Sequence, residues 1–240
     1  SPIRALELLR FLQARTTDIE GFELVASDSL DLVLRHIPGT RPPLDGQRPW
    51  HVLIETTTAD PGTDIAAEVE PLLAAALEQG LIDDAVIASS KAQADAFWRI
   101  RDSISEAERA EGQTLAHDVS VAVADMPRFI ADASIEVEAA FPGVVASAFG
   151  HLGDGNVHFH VRAGGRARPD WYETEGDDIT RFVDDLVNAA GGSISAEHGI
   201  GQMKLAELER LGPPARLHAM RAIKQALDPL GIMNPGKLIR

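Results

Sequence analysis

Residues Val144 to Val161 read VVASAFGHLGDGNVHFHV. Two short alternating runs flank Gly-Asp-Gly-Asn, and an Asp-Gly pair between such runs is a strong hairpin signal because both central turn positions tolerate positive φ. With Asp154 and Gly155 as the two turn residues, Gly153 faces Asn156, Leu152 faces Val157 and His151 faces His158. Directly opposed residues have Cβ atoms about 4.5–5.5 Å apart, close enough for both imidazoles to hold one ion of the zinc or manganese type. His160, two residues on, shares that face. The other face carries Ala148, Gly150, Val157, Phe159 and Val161, which are small or apolar and suit a core. The competing reading is that these histidines only decorate a half-exposed sheet.

Working outward, the 240-residue chain is long enough to bury a sizeable core as one large domain or two modest ones. Its 45% hydrophobic and 25% charged residues are ordinary for a globular protein and give no sign of disorder. A net charge of −15 disfavours a nucleic-acid partner, and an acidic substrate would need a local cluster of cations or a metal. With no cysteine, disulfides and thiolate chemistry are excluded, and a reducing, cytoplasmic setting is the expectation. No apolar run approaches the ~20 residues of a membrane span, and no signal peptide is visible. An apolar helical pattern starts at Pro2, so the chain reads as cut from a longer protein.

Periodicity predicts helices over Pro2–Gln13, Ser27–Ile37 (capped by Ser27), Asp64–Gln79, Lys91–Ala110, Met126–Ala140, Trp171–Ala190 and Pro213–Leu227. Pro71 suggests a kink or restart within the third of these. Strands are expected over Gly21–Ala26, Trp50–Thr57, Asp84–Ser89 and Thr114–Val123, besides the hairpin. About six strands and six helices in irregular alternation argue an α+β sheet covered on one face. Neither GxGxxG after a strand nor GxxxxGK[ST] is present, so no dinucleotide or P-loop site is expected.

A second constellation is SISAEHGIGQMK, Ser193 to Lys204. Glu197 would complete a two-histidine, one-carboxylate set with His151 and His158 that leaves positions open for water or substrate; an exposed Glu-His pair in a loop is the alternative. His198, with an ordinary pKa near ~6.5, is a candidate base. Arg101 and Ser105 stand four apart on the long predicted helix, one position off its apolar stripe, and Arg offers a planar fork to a carboxylate. A solvated Arg101 paired with Glu108 or Asp102 is the competing reading.

Three motifs, HLGDGNVHFH (His151 to His160), AEHGIGQMK (Ala196 to Lys204) and DPLGIMNPGKL (Asp228 to Leu238), resemble the C-terminal region of the FAD-linked oxidases of the vanillyl-alcohol oxidase type. The resemblance is to the D-2-hydroxyacid dehydrogenase branch, which includes D-lactate, glycolate and D-2-hydroxyglutarate dehydrogenases. PWHVLIET (Pro49 to Thr56) and HDVSV (His117 to Val121) agree with it, so it covers nearly the whole chain.

The resemblance implies a ferredoxin-like α+β antiparallel sheet covered by helices, with a C-terminal helical tail. Residues 1–190 would be the substrate-binding cap, and 191–240 a segment packing on an N-terminal FAD-binding domain absent from this chain. His151, His158 and Glu197 would hold a divalent metal, zinc foremost, with manganese, iron or cobalt as alternatives. Arg101 and Ser105 would bind the substrate carboxylate and His160 would touch substrate. His198 would lie near the reacting carbon and Asn234 near the flavin.

The implied activity is oxidation of a small 2-hydroxy acid to the 2-oxo acid with hydride transfer to FAD, the isolated fragment being inactive. Three positions depart from the D-2-hydroxyglutarate pattern: Ala116 for Lys, His160 for Asn and Ala122 for Pro. They leave the metal set intact and change the substrate side. The rival readings are a self-contained metal-dependent hydrolase and a non-catalytic partner of a separate flavoprotein chain. The electron acceptor is left open, a homodimer is the oligomeric option, and attachment to a membrane through the acceptor is the alternative to a free cytoplasmic protein.

Overall fold

The structure, a computed structural model, describes residues 1–60 and 62–239. Strands β1 (Ile19–Ala26), β2 (Trp50–Thr56), β3 (Thr114–Ser120), β4 (Val144–His151) and β5 (Asn156–Ala163) form one antiparallel sheet in the order β2-β1-β4-β5-β3. The helices among the described residues are α1 (Pro2–Gln13), α2 (Ser27–His36), α3 (Ile65–Glu78), α4 (Lys91–Asp102), α5 (Ile104–Glu111), α6 (Met126–Ala140), α7 (Trp171–Ala189), α8 (Leu205–Leu211) and α9 (Pro214–Leu227). The expected α+β class holds. None of these helices is long and apolar enough to cross a membrane.

Alternation along each strand sorts its side chains between two layers. Phe22, Leu24, Val119, Ala148, Val157, Phe159 and Val161 point to one face, where Leu8, Leu9 and Leu12 of α1, Ile130 and Val137 of α6 and Ile179 and Val183 of α7 close over them. Phe149 and Phe159 are both fully buried, and a large apolar side chain taken out of water contributes about 1.5–3 kcal/mol. The second face is covered too, contrary to the sequence expectation of one covered face. Val25 and Phe149 pack there against Leu30 and Val33 of α2, Ile100 of α4 and Ile104 and Ala107 of α5. That cover lies over β1 and β4. Beside it, the segment Ser193–Lys204 borders β3, with Ser120 bridging Ser193.

The hairpin forms, with a different turn. Phe149 pairs with His158, Ala148 with Phe159 and Ser147 with His160, so the register is shifted by two residues from the Asp154-Gly155 reversal. The turn spans Leu152–Gly155. Gly155 takes φ +74, and a Cβ there would meet the Val121 carbonyl oxygen at 2.1 Å. That close packing, together with the Val121 N–H donating to the Gly155 carbonyl at 2.9 Å, holds the wider turn against the end of β3. Because the shift is an even number, every side chain stays on its expected face.

Four further expectations are corrected. Asp84–Ser89 is irregular: Asp84 Oδ1 accepts the Ala85 N–H at 2.8 Å, and the segment lines a cavity of about 530 Å³ facing β2 and α3 instead of pairing. The long Lys91–Ala110 helix breaks at Ser103, whose ψ of −1° ends α4 so that α5 can turn Ile104 and Ala107 into the second core. Ser27 is the first residue of α2, and its cap, Ala26, makes no side-chain bond. α3 runs through Pro71 as one helix with Asp64 as its cap, so the chain does not restart there.

Candidate metal centre

Four neighbouring strands build the site. Antiparallel pairing puts Glu23 of β1 opposite His151 of β4, and Asp118 of β3 opposite His158 of β5. His151 and His158 are therefore diagonal neighbours, not directly opposed as the sequence suggested, yet they share a face with ring centroids 5.6 Å apart. Glu197 arrives from the loop after α7. Its Oε1 lies 3.2 Å from His151 Nε2, and its Oε2 4.0 Å from His158 Nε2. One ligand atom from each residue falls within 4.8 Å of the other two, the one such group of His, Asp and Glu among the described residues.

A carboxylate stands behind each imidazole, bonded to His151 and out of bonding reach of His158. His151 Nδ1 donates to Glu23 Oε1 at 2.6 Å, which leaves Nε2 as the nitrogen that faces Glu197 and Arg101. Asp118 Oδ1 stands 4.0 Å from His158 Nδ1, beyond hydrogen-bond range, and is buried without a partner. Its Oδ2 accepts the backbone N–H groups of Glu197 and His198, each at 2.8 Å. Lys204 Nζ adds bonds to the carbonyls of Asp118 at 3.1 Å and Ile194 at 2.6 Å. These contacts fasten the Glu197 loop to β3.

Electrostatics separates the two histidines. The Glu23 hydrogen bond raises the His151 pKa against the opposing effect of burial. Burial, helped by the Arg101 charge, pushes His158 down to about 4, so it is neutral and ready to donate. For Glu23 and Asp118 burial works upward. His151 and Arg101 overcome it for Glu23, and the His198 and Glu197 N–H groups overcome it for Asp118, so both carboxyls end low and charged. Two imidazoles, with His158 kept neutral by burial, and a carboxylate are a donor set that suits zinc and neighbouring divalent ions. The residues fit a metal.

Arg101 is buried and lies at the centre, its Nε donating to Glu23 Oε2 at 2.6 Å and its Nη2 3.3 Å from His151 Nε2. Its partner is neither Glu108 nor Asp102. Ser105 is half-buried on α5, beyond the Ser103 break, so it is not on one continuous helix with Arg101. His160 lies outside the trio: its Nδ1 bonds buried Glu108, which also accepts from Ser147 Oγ at 3.1 Å. His198 has an exposed ring, with Nδ1 3.7 Å from Asp118 Oδ2. Asn234 sits in the exposed C-terminal tail at φ +46.

Glu23 and Asp118 were given no role by the sequence reading. The available signal was a lone acid inside each buried strand, GFELVA and LAHDVSV, alternating with Phe22 and Leu24 in the first and with Val119 and Val121 in the second.

Residues 2–238 match the family described as FAD linked oxidases, C-terminal domain. The chain is 36% identical over 223 residues to a mitochondrial D-2-hydroxyglutarate dehydrogenase of Arabidopsis thaliana, covering 92% of this chain and 38% of that protein. It is 35% identical to a D-2-hydroxyglutarate dehydrogenase of Xanthomonas citri pv. viticola, covering 92% of this chain and 46% of that protein. The figure for the enzyme of that name from Stutzerimonas stutzeri is 33%, with 92% and 47% covered. The chain thus spans less than half the length of these relatives. With the family matched from end to end, the chain belongs to the FAD linked oxidases and comprises their C-terminal domain.

Proposed function

We propose that this chain is the substrate- and metal-binding part of an FAD-dependent dehydrogenase that oxidises a small D-2-hydroxy acid to the 2-oxo acid. The observation that carries the reading is the convergence of His151, His158 and Glu197 on one point, with the Arg101 guanidinium 3.3 Å from the His151 nitrogen that faces it. His151, His158 and Glu197 would hold the cation. A divalent cation supplies Lewis acidity that lowers the pKa of a bound hydroxyl, and FAD supplies a hydride acceptor.

The remaining roles fall to side chains of this chain. Arg101 binds the substrate carboxylate through its fork, with Ser105 and His160 bounding the substrate further out. His198, next to Glu197 in the chain and with its exposed ring 3.7 Å from Asp118 Oδ2, takes the hydroxyl proton. Phe149, buried against the His158 ring at 4.9 Å between centroids, keeps water from the inner side. The exposed apolar side chains of the tail, Leu227 at 75%, Leu230 at 80% and Ile232 at 74% exposure, support docking of a FAD-binding domain there, with Asn234 beside it.

The test is metal content followed by turnover. Dialysed chain should carry about one equivalent of zinc or manganese, and His151→Ala should lose it. The same substitution in a protein that includes the flavin domain should abolish 2-hydroxy acid oxidation. A His151→Ala protein at full metal occupancy, or ester hydrolysis by the metal-loaded chain alone, would overturn the reading.

A further inference from the structure

Glu23 lies outside every motif that pointed to the site, yet its carboxylate touches both halves of it. Pairing of β1 with β4 sets it opposite His151, and it is 2% exposed. One oxygen accepts from His151 Nδ1 and the other from Arg101 Nε, both at 2.6 Å. We propose that Glu23 is the positioning residue that couples the metal centre to the carboxylate-binding arginine. This rests on the metal reading above.

The physical reason is that two short charge-assisted bonds, one per oxygen, lock the carboxylate's rotation. A proton held on Nδ1 leaves Nε2 as the donor atom, and a carboxylate on that proton makes Nε2 a stronger donor. Arg101 Nη2 now points at the same Nε2 from 3.3 Å. A cation and an N–H cannot share one lone pair, so metal occupancy releases Nη2 while Glu23 retains Nε. The freed N–H is then available to a substrate carboxylate, and metal binds before acid. His158 has no equivalent, since Asp118 stands 4.0 Å away and holds the loop instead.

Titration of apo chain with Co2+, followed by its visible absorption, and Zn2+ competition against a chromogenic chelator test this. Glu23→Gln should weaken both ions about 10–100-fold and alter the Co2+ spectrum, while Glu55→Gln, exposed on β2, should match wild type. Losing Glu23 alone strands a buried guanidinium, so Glu23→Gln/Arg101→Met, which removes both charges and the competing Nη2 together, should fold and still give an altered Co2+ spectrum. Unchanged metal affinity and spectrum in either folded variant overturn the proposal.

In wild type loaded with Zn2+, 15N-histidine NMR should find the His151 proton on Nδ1, and a proton on Nε2 overturns the proposal without any variant. A wild-type chain that takes up no cation would instead sink the functional reading.

Discussion

His117 shows how much a single position can carry here without touching the reaction. It sits on β3 next to Asp118, but alternation turns it into the core, where Nδ1 donates to the Phe159 carbonyl at 2.9 Å and Nε2 faces the Thr180 hydroxyl at 3.2 Å. Burial pushes its pKa down to about 4. Above pH ~6.5, the ordinary histidine value, folded and unfolded forms are both neutral and the group is silent. Between ~6.5 and ~4 the unfolded chain takes up a proton that the folded one refuses, so stability falls as pH falls, by up to about 3 kcal/mol from this residue. Replacing His117 with Gln should flatten that acid-side loss in denaturant midpoints measured from pH 7 to 4. An unchanged slope would refute the assignment. His158 is lowered to the same extent, also by burial first, and should add a parallel loss in metal-free protein.

At the level of elements, the hairpin turn decides whether the site exists. Gly155 at φ +74 occupies the left-handed region, with no room for a Cβ beside Val121. Gly153 has no neighbour within 4 Å and no positive φ. Gly155→Ala should therefore lose at least about 2 kcal/mol, combining the left-handed penalty with displacement of β3, or roughly 4–8 °C in melting temperature for a chain of this size. Gly153→Ala should stay within ~0.5 kcal/mol. Calorimetry of the pair checks this, and equal melting points would show that the turn does not bear on β3. The helix break at Ser103 matters in the same way: it lets α4 end with Arg101 over Glu23 while α5 brings Glu108 to His160.

For the whole molecule, the site is a seam where β1, β4, β5, β3 and the Ser193–Lys204 loop meet, so a cation that binds only the folded form stabilises all of them together. At 100 times its Kd such an ion adds about 2.7 kcal/mol, or ~5–10 °C in melting temperature. Chelator should reverse the gain in the wild type and change nothing in His151→Ala. A wild-type melting point indifferent to metal would mean that the trio does not close. The chain's charge of −15 favours cation uptake broadly, so the His151→Ala comparison is what isolates the specific site.

Spacing alone determined the α+β class, the hairpin and the face shared by His151, His158 and His160, while Glu197 stood between a third ligand and an exposed loop residue until the fold set its Oε1 3.2 Å from His151 Nε2. The first three depend on short-range chemistry: strand parity has a period of two, and even a turn misplaced by two residues leaves each side chain on its own face. The tertiary structure decided the true register, the failure of Asp84–Ser89 to join the sheet, and above all the carboxylates behind the imidazoles. Glu23 lies 128 residues from His151. No local pattern sets that distance; it is closed when β1 and β4 align their apolar faces on α1 and α6, because the register that buries Leu24 and Ala148 is the one that carries Glu23 to the histidine.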